Sequence, residues 1–123
     1  MKKTSSMKYN NDFRYLYKRG TSVAGAYLVL YAKKVSGKNE NILGITVTKK
    51  LGNAVVRNRV RRLIRECYRL REDKIKGGYK LVIVARTRAV GADFYAIKGD
   101  LGYLLRKSNL LIGDTDGEGA VRE

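Results

Sequence analysis

From Asn53 onward the apolar residues Val56, Val60, Leu63, Ile64 and Cys67 fall within one arc when each residue is turned by about 100°. That spacing predicts an amphipathic helix, with Asn53 placed to cap it. A shorter helix is predicted near the start, where Phe13, Leu16 and Tyr17 repeat at i, i+3, i+4 behind Asn10 and Asn11. Gly20 stands where a left-handed cap would end it. A last helix is predicted after Asp93, with Phe94, Ile97, Leu101, Leu104 and Leu105 inward. Gly99 and Gly102 weaken that helix by about 1 kcal/mol each.

Other apolar runs alternate with period two. Tyr27–Lys33 places Tyr27, Val29 and Tyr31 on one side and Leu28, Leu30 and Ala32 on the other. Ile42–Thr48 alternates in the same way, and the polar residues between the two runs predict a hairpin. After Gly77-Gly78, Tyr79–Arg86 is apolar enough on both sides to be central in a sheet. Three helices and three strands in this order predict an α+β domain.

Composition sharpens the picture. The chain has 123 residues, enough for one two-layer core. It contains no run of the length that spans a bilayer and no apolar signal-peptide core behind Lys2 and Lys3. A single cysteine, Cys67, rules out an internal disulfide and fits a reducing, cytoplasmic setting. The net charge is +16, and it is unevenly spread. Removing the four acids and Arg122 of residues 114–123 leaves 26 basic and 7 acidic residues, a charge of +19 on the body. We therefore read residues 1–113 as a single domain and 114–123 as an acidic, disordered tail.

Charge of that size raises the energy of a compact chain and implies a polyanionic partner. Nucleic acid fits better than a membrane surface, because the arginines sit mid-chain between strands and not on a terminal amphipathic segment. On the helix after Asn53, Asn58, Arg61, Arg62, Arg65 and Arg69 lie opposite the apolar arc, and Arg57 and Arg59 flank it. Glu66 is the only acid among them, too little for the i,i+4 relief of an ordinary solvated face. Guanidinium forks match phosphate oxygens. Immediately before, Lys49 and Lys50 precede Gly52 and a helix N-terminus, a second anion-attracting feature.

Nine tyrosines and two phenylalanines add a further possibility. Phe13 and Tyr17 lie one turn apart, and Tyr27 and Tyr31 share one strand face, an arrangement that can stack on unpaired bases. A protein-borne active site is disfavoured: there is no histidine, and the acids are scattered singly. Asp12, Asp93 and Asp100 read as capping or surface residues before they read as metal ligands.

The segments "NNDFRYLYKRGTSVAG", "GITVTKKLGNAVVRNRVRRLIRE" and "LVIVAR" followed by "LLRKSNL" resemble the bacterial ribonuclease P protein component, in order and at that family's spacing, over about residues 8–110. The resemblance implies a mostly antiparallel sheet of about four strands in α-β-β-β-α-β-α order, with Thr21–Ala24 as the extra strand. It also implies a left-handed βαβ crossover, against the usual handedness.

In function it implies a protein that assists a catalytic RNA using Mg²⁺ to remove the 5′ leader of precursor tRNA. Phe13, Tyr17 and Tyr31 would line a leader cleft. Lys49, Lys50, Asn53, Arg57, Asn58, Arg59, Arg61, Arg62 and Arg65 would meet the catalytic RNA and the substrate. The partners implied are those two RNAs, with neither DNA nor membrane. Tyr17 departs modestly from the phenylalanine common at its position. The competing readings are a ribosomal-type structural RNA-binding protein, a DNA-binding module, and a protein-only nuclease.

Overall fold

The computed structural model describes residues 3–35, 37 and 39–112; the expected tail after residue 113 lies outside them. The elements are β1 (Thr4–Ser6), α1 (Asn10–Arg19), β2 (Thr21–Ala24), β3 (Leu28–Lys34), β4 (Asn41–Thr46), α2 (Ala54–Arg71), β5 (Tyr79–Ala85) and α3 (Phe94–Lys107). They form an α+β fold around one sheet of order β1-β4-β5-β3-β2. Among the described residues no helix is long and apolar enough to cross a membrane.

The expected hairpin of β3 with β4 does not form. β5 lies between them, antiparallel to β3 (Leu30↔Ile83) and parallel to β4 (Ile45↔Ile83). The reason is burial: Leu81, Ile83 and Ala85 join the larger core under α2 and α3, while Val82 is buried against α1 on the other face. A strand with no solvated face needs a neighbour at each edge. β4, α2 and β5 thus make a parallel βαβ unit, and two of the four strand pairings are parallel, more than a mostly antiparallel sheet has.

Among the described residues there are five strands and not four. Thr21–Ala24 is a strand as expected, pairing with β3. The unforeseen one is β1, which pairs in parallel with Asn41–Leu43. It is held from a distance: Lys3 N–H donates to Glu72 Oε2 at 3.0 Å, and the Thr4 and Tyr68 hydroxyls share a 2.9 Å bond.

Asn53 caps α2 by accepting from Val56 N–H at 3.0 Å, and Asp93 caps α3 by accepting from Ala96 N–H at 2.8 Å. α1 differs from expectation, since Asn10 is already helical and Tyr9 is the cap residue, without a side-chain bond. Gly20 is extended (φ −76°, ψ 159°), not left-handed. Glycine fits there for space: a Cβ would lie 2.8 Å from the Leu16 carbonyl oxygen and 3.1 Å from that of Ala32.

Asp12 and Asp100 also have structural partners. Asp12 pairs with Lys80 at 3.1 Å. Asp100 accepts from the backbone N–H groups of Ala26 (3.0 Å), Tyr27 (2.9 Å) and Leu28 (2.9 Å), tying α3 to the turn between β2 and β3. Replacing Asp100 with alanine leaves three donors without their acceptor, and denaturant unfolding is expected to show a loss of about 3 kcal/mol.

Cys67 is fully buried, with Sγ directed at the Phe94 carbonyl oxygen. Burial pushes its thiol up to about 11 from 9.0. Its contribution to stability is therefore complete below pH 9.0 and declines towards about 11, as the unfolded chain ionises first. A disulfide reagent at about pH 8 is expected to spare the native protein and label it on unfolding.

Candidate nucleic-acid interface

α1 lies across the face of the sheet opposite α2 and α3, anchored by Leu16 against Val82 and Met7. Its sequence turns Phe13 and Tyr17, one turn apart, towards β4. The Phe13 ring closes onto Gly44, where a Cβ would stand 2.5 Å from Phe13 Cε1. The Tyr17 hydroxyl shares a 2.9 Å hydrogen bond with Thr46 Oγ1. Its ring meets Tyr31 of β3 edge-on, with centroids 5.0 Å apart and planes at 72°. Phe13 and Tyr31 are half-buried and also pack on the smaller core, whereas Tyr17 is 40% exposed.

Beside these rings runs an open groove. Phe13, Arg14, Tyr17, Thr46 and Arg61 line its larger part, about 450 Å³. A smaller part of about 170 Å³ continues past Phe13, Gly44 and Arg61 to Arg65. Phe13, Ile45 and Arg61 line both parts, so the two adjoin. β1 pairs β4 only as far as Leu43, so the groove follows β4 where its outer edge is uncovered.

The structure divides the arginine motif. Arg61 and Arg65, one turn apart, enter the cleft with the aromatic residues. Arg59 and Arg62 line a different hollow of α2, of about 450 Å³, with Leu63 and Glu66. Glu66 is engaged by Arg69 (2.6 Å), which holds its carboxyl below the usual range. Asn58 accepts from Arg61 Nη1 at 3.1 Å and so steadies that side chain.

Two motif residues do local structural work. Asn53 is committed to the cap, and Arg57 Nε donates to the Gly52 carbonyl at 3.1 Å, closing the loop ahead of α2. Lys49 and Lys50 are exposed on a short 3-10 turn before that loop. Sequence reasoning missed Gly44, Thr46 and Arg14. An isolated glycine inside a strand is a recognised sign of close approach and could have flagged Gly44.

The assembled groups are aromatic faces and guanidinium ions, with no acid among the described residues that line the cleft. Such a set stacks on bases and holds phosphates. It offers no anionic oxygen to ligate a hard cation and no base to activate water.

Residues 1–109 match the family model described as Ribonuclease P. The chain is 41% identical over 111 residues to the ribonuclease P protein component of Alkaliphilus oremlandii (strain OhILAs), covering 90% of this chain and 96% of that one. It is 44% identical over 109 residues to the component from Clostridium botulinum (strain 657 / Type Ba4), covering 88% and 97%. Among solved structures, the Staphylococcus aureus RNase P protein matches with a TM-score of 0.79 at 34% identity, covering 85% of this chain and 95% of that one. The Thermotoga maritima RNase P protein matches with a TM-score of 0.76 at 29% identity, covering 84% and 96%.

Proposed function

The chain belongs to the ribonuclease P protein family, and on that premise we propose that it is the RNA-binding subunit of the endoribonuclease that frees tRNA 5′ ends, its cleft holding the precursor's single-stranded leader. The observation that carries this reading is the pair of adjoining hollows that set Phe13 and Tyr17, with Tyr31 behind them, beside Arg61 and Arg65. Leader bases stack on the rings and leader phosphates meet the two guanidinium groups. Lys49, Lys50, Asn58, Arg59 and Arg62 face the catalytic RNA, with Asn53 and Arg57 fixing the start of the helix that presents them.

The mechanism is differential affinity. Mature tRNA lacks the leader, so the cleft favours substrate over product. The arginines meanwhile lower the phosphate repulsion between two RNAs brought together. Hydrolysis belongs to the RNA subunit and the Mg²⁺ it binds, since the cationic cleft does not fit a metal ion. The partners are the catalytic RNA and precursor tRNA, with neither DNA nor membrane involved, and the setting is the cytoplasm.

The test is cleavage of precursor tRNA at low Mg²⁺ with protein alone, catalytic RNA alone, and both. Leader release that needs the RNA and is strongly enhanced by the protein supports the assignment. Cleavage by protein alone, or no enhancement, refutes it.

A further inference from the structure

A second basic groove lies on the other flank of α1. Phe13 and Tyr17 lean towards β4, whereas Asp12 and Tyr15 lean towards β5 and β3. There they border an open hollow of about 520 Å³ with Lys33, Lys34 and Lys80.

Its distinguishing feature is electrostatic. Lys33 and Lys80 are direct partners in the antiparallel ladder of β3 and β5. They share the face that carries Tyr31 and Val82, and like charges placed opposite each other weaken a sheet. Asp12 answers Lys80 at 3.1 Å, and among the described residues no carboxylate pairs with Lys33. Lys34, next along β3, borders the hollow at the strand but sends its ammonium to the other face, 5.0 Å from the Tyr79 ring centroid. Tyr15 contributes a ring that is 46% exposed on the flank of α1 away from the cleft. β2 pairs β3 only up to Ala32, so the outer edge at Lys33 and Lys34 is uncovered.

Cations crowded against the preference of the sheet, beside one exposed ring, repeat on a small scale the pattern of α2 and the cleft. We propose that this groove is a second RNA-backbone site, with Lys33 and Lys80 on phosphates of a sugar–phosphate strand and Tyr15 against a base or ribose. Ammonium point charges without a fork suit sequence-independent contact. The proposal rests on the RNA-binding reading above. The strand comes either from the upstream part of a long leader or from the catalytic RNA, and the two sources present the same chemistry.

The experiment compares Lys33→Gln, Tyr15→Ala and Arg61→Ala. Each is assembled with the catalytic RNA and then bound to precursors with short and long leaders across a salt series. Lys33→Gln removes a like-charge pair, so its thermal midpoint is expected to be unchanged or higher while RNA affinity falls about three- to tenfold. The slope of log affinity against log salt should shrink by about 0.7 to 0.9. A loss confined to long leaders identifies the precursor; a loss already present in assembly identifies the catalytic RNA. Unchanged affinity and slope for Lys33→Gln and Tyr15→Ala, with Arg61→Ala weakened, overturns the groove alone. If Arg61→Ala is also unaffected, the reading of the cleft falls with it.

Discussion

Exchanging Arg61 and Arg65 together for glutamate is expected to weaken precursor tRNA binding by the assembled enzyme about a hundred- to ten-thousandfold. Each guanidinium–phosphate bond is worth about 1.5–3 kcal/mol, and about 1.4 kcal/mol is a factor of ten. Both side chains line the same groove, so two attractions vanish and two repulsions replace them. The salt dependence should shrink by about 0.7 to 0.9 for each phosphate that is no longer neutralised. The fold should survive: Arg65 is exposed, and Arg61 is bonded to the neighbouring surface residue Asn58. Arg57 is the wrong choice for this test, because its bond to the Gly52 carbonyl holds the loop before α2 and its removal would confound stability with binding. Lysine at both positions should restore only part of the affinity, since it keeps the charge without the fork. Wild-type affinity in the double glutamate variant, measured at low salt, would remove the arginine face from the mechanism.

The features legible in the sequence are those whose physics is local. Asn53 and Asp93 cap their helices because a cap needs only the N–H three residues on. The central position of β5 is legible because a strand apolar on both sides has nowhere else to go. The strand order is not local: β3 and β4 are neighbours in sequence, and burying β5 separates them. β1 has no apolar residue at all, and the bonds that hold it, from Thr4 to Tyr68 and from the flanking Lys3 and Met7 to Glu72 and Leu43, reach across the chain. In the site, the residue types were legible and their grouping was not. Helical spacing puts Arg61, Arg62 and Arg65 on one arc with Arg59 beside it and does not divide them into pairs. Which pair faces Phe13 depends on how α2 is rotated against β4, and only the packing of Val60, Ile64, Cys67 and Tyr68 fixes that.

Phe13→Ala is expected to lower affinity for precursor tRNA about five- to 150-fold and to leave mature tRNA binding unchanged. A stacked base is worth about 1–3 kcal/mol, and only the precursor has leader bases to stack. Phe13 also packs on the smaller core, so this variant loses stability as well, and affinity alone does not separate the two effects. Gly44→Ala reaches the same contact from the strand, because it keeps the ring and adds a methyl group where Phe13 Cε1 and Cζ would lie only 2.5 and 2.6 Å away. The ring has to swing off β4 and off the smaller core, so precursor affinity and stability should both drop. In a Phe13→Ala background the ring is gone, and the nearest neighbour of the added methyl group is Met7 Cβ at 3.3 Å. Gly44→Ala should then cost little further, and the two changes should be strongly non-additive. Additive losses would mean that Gly44 acts through the strand and not through the ring. Equal losses for precursor and mature tRNA would mean that the ring never meets the leader.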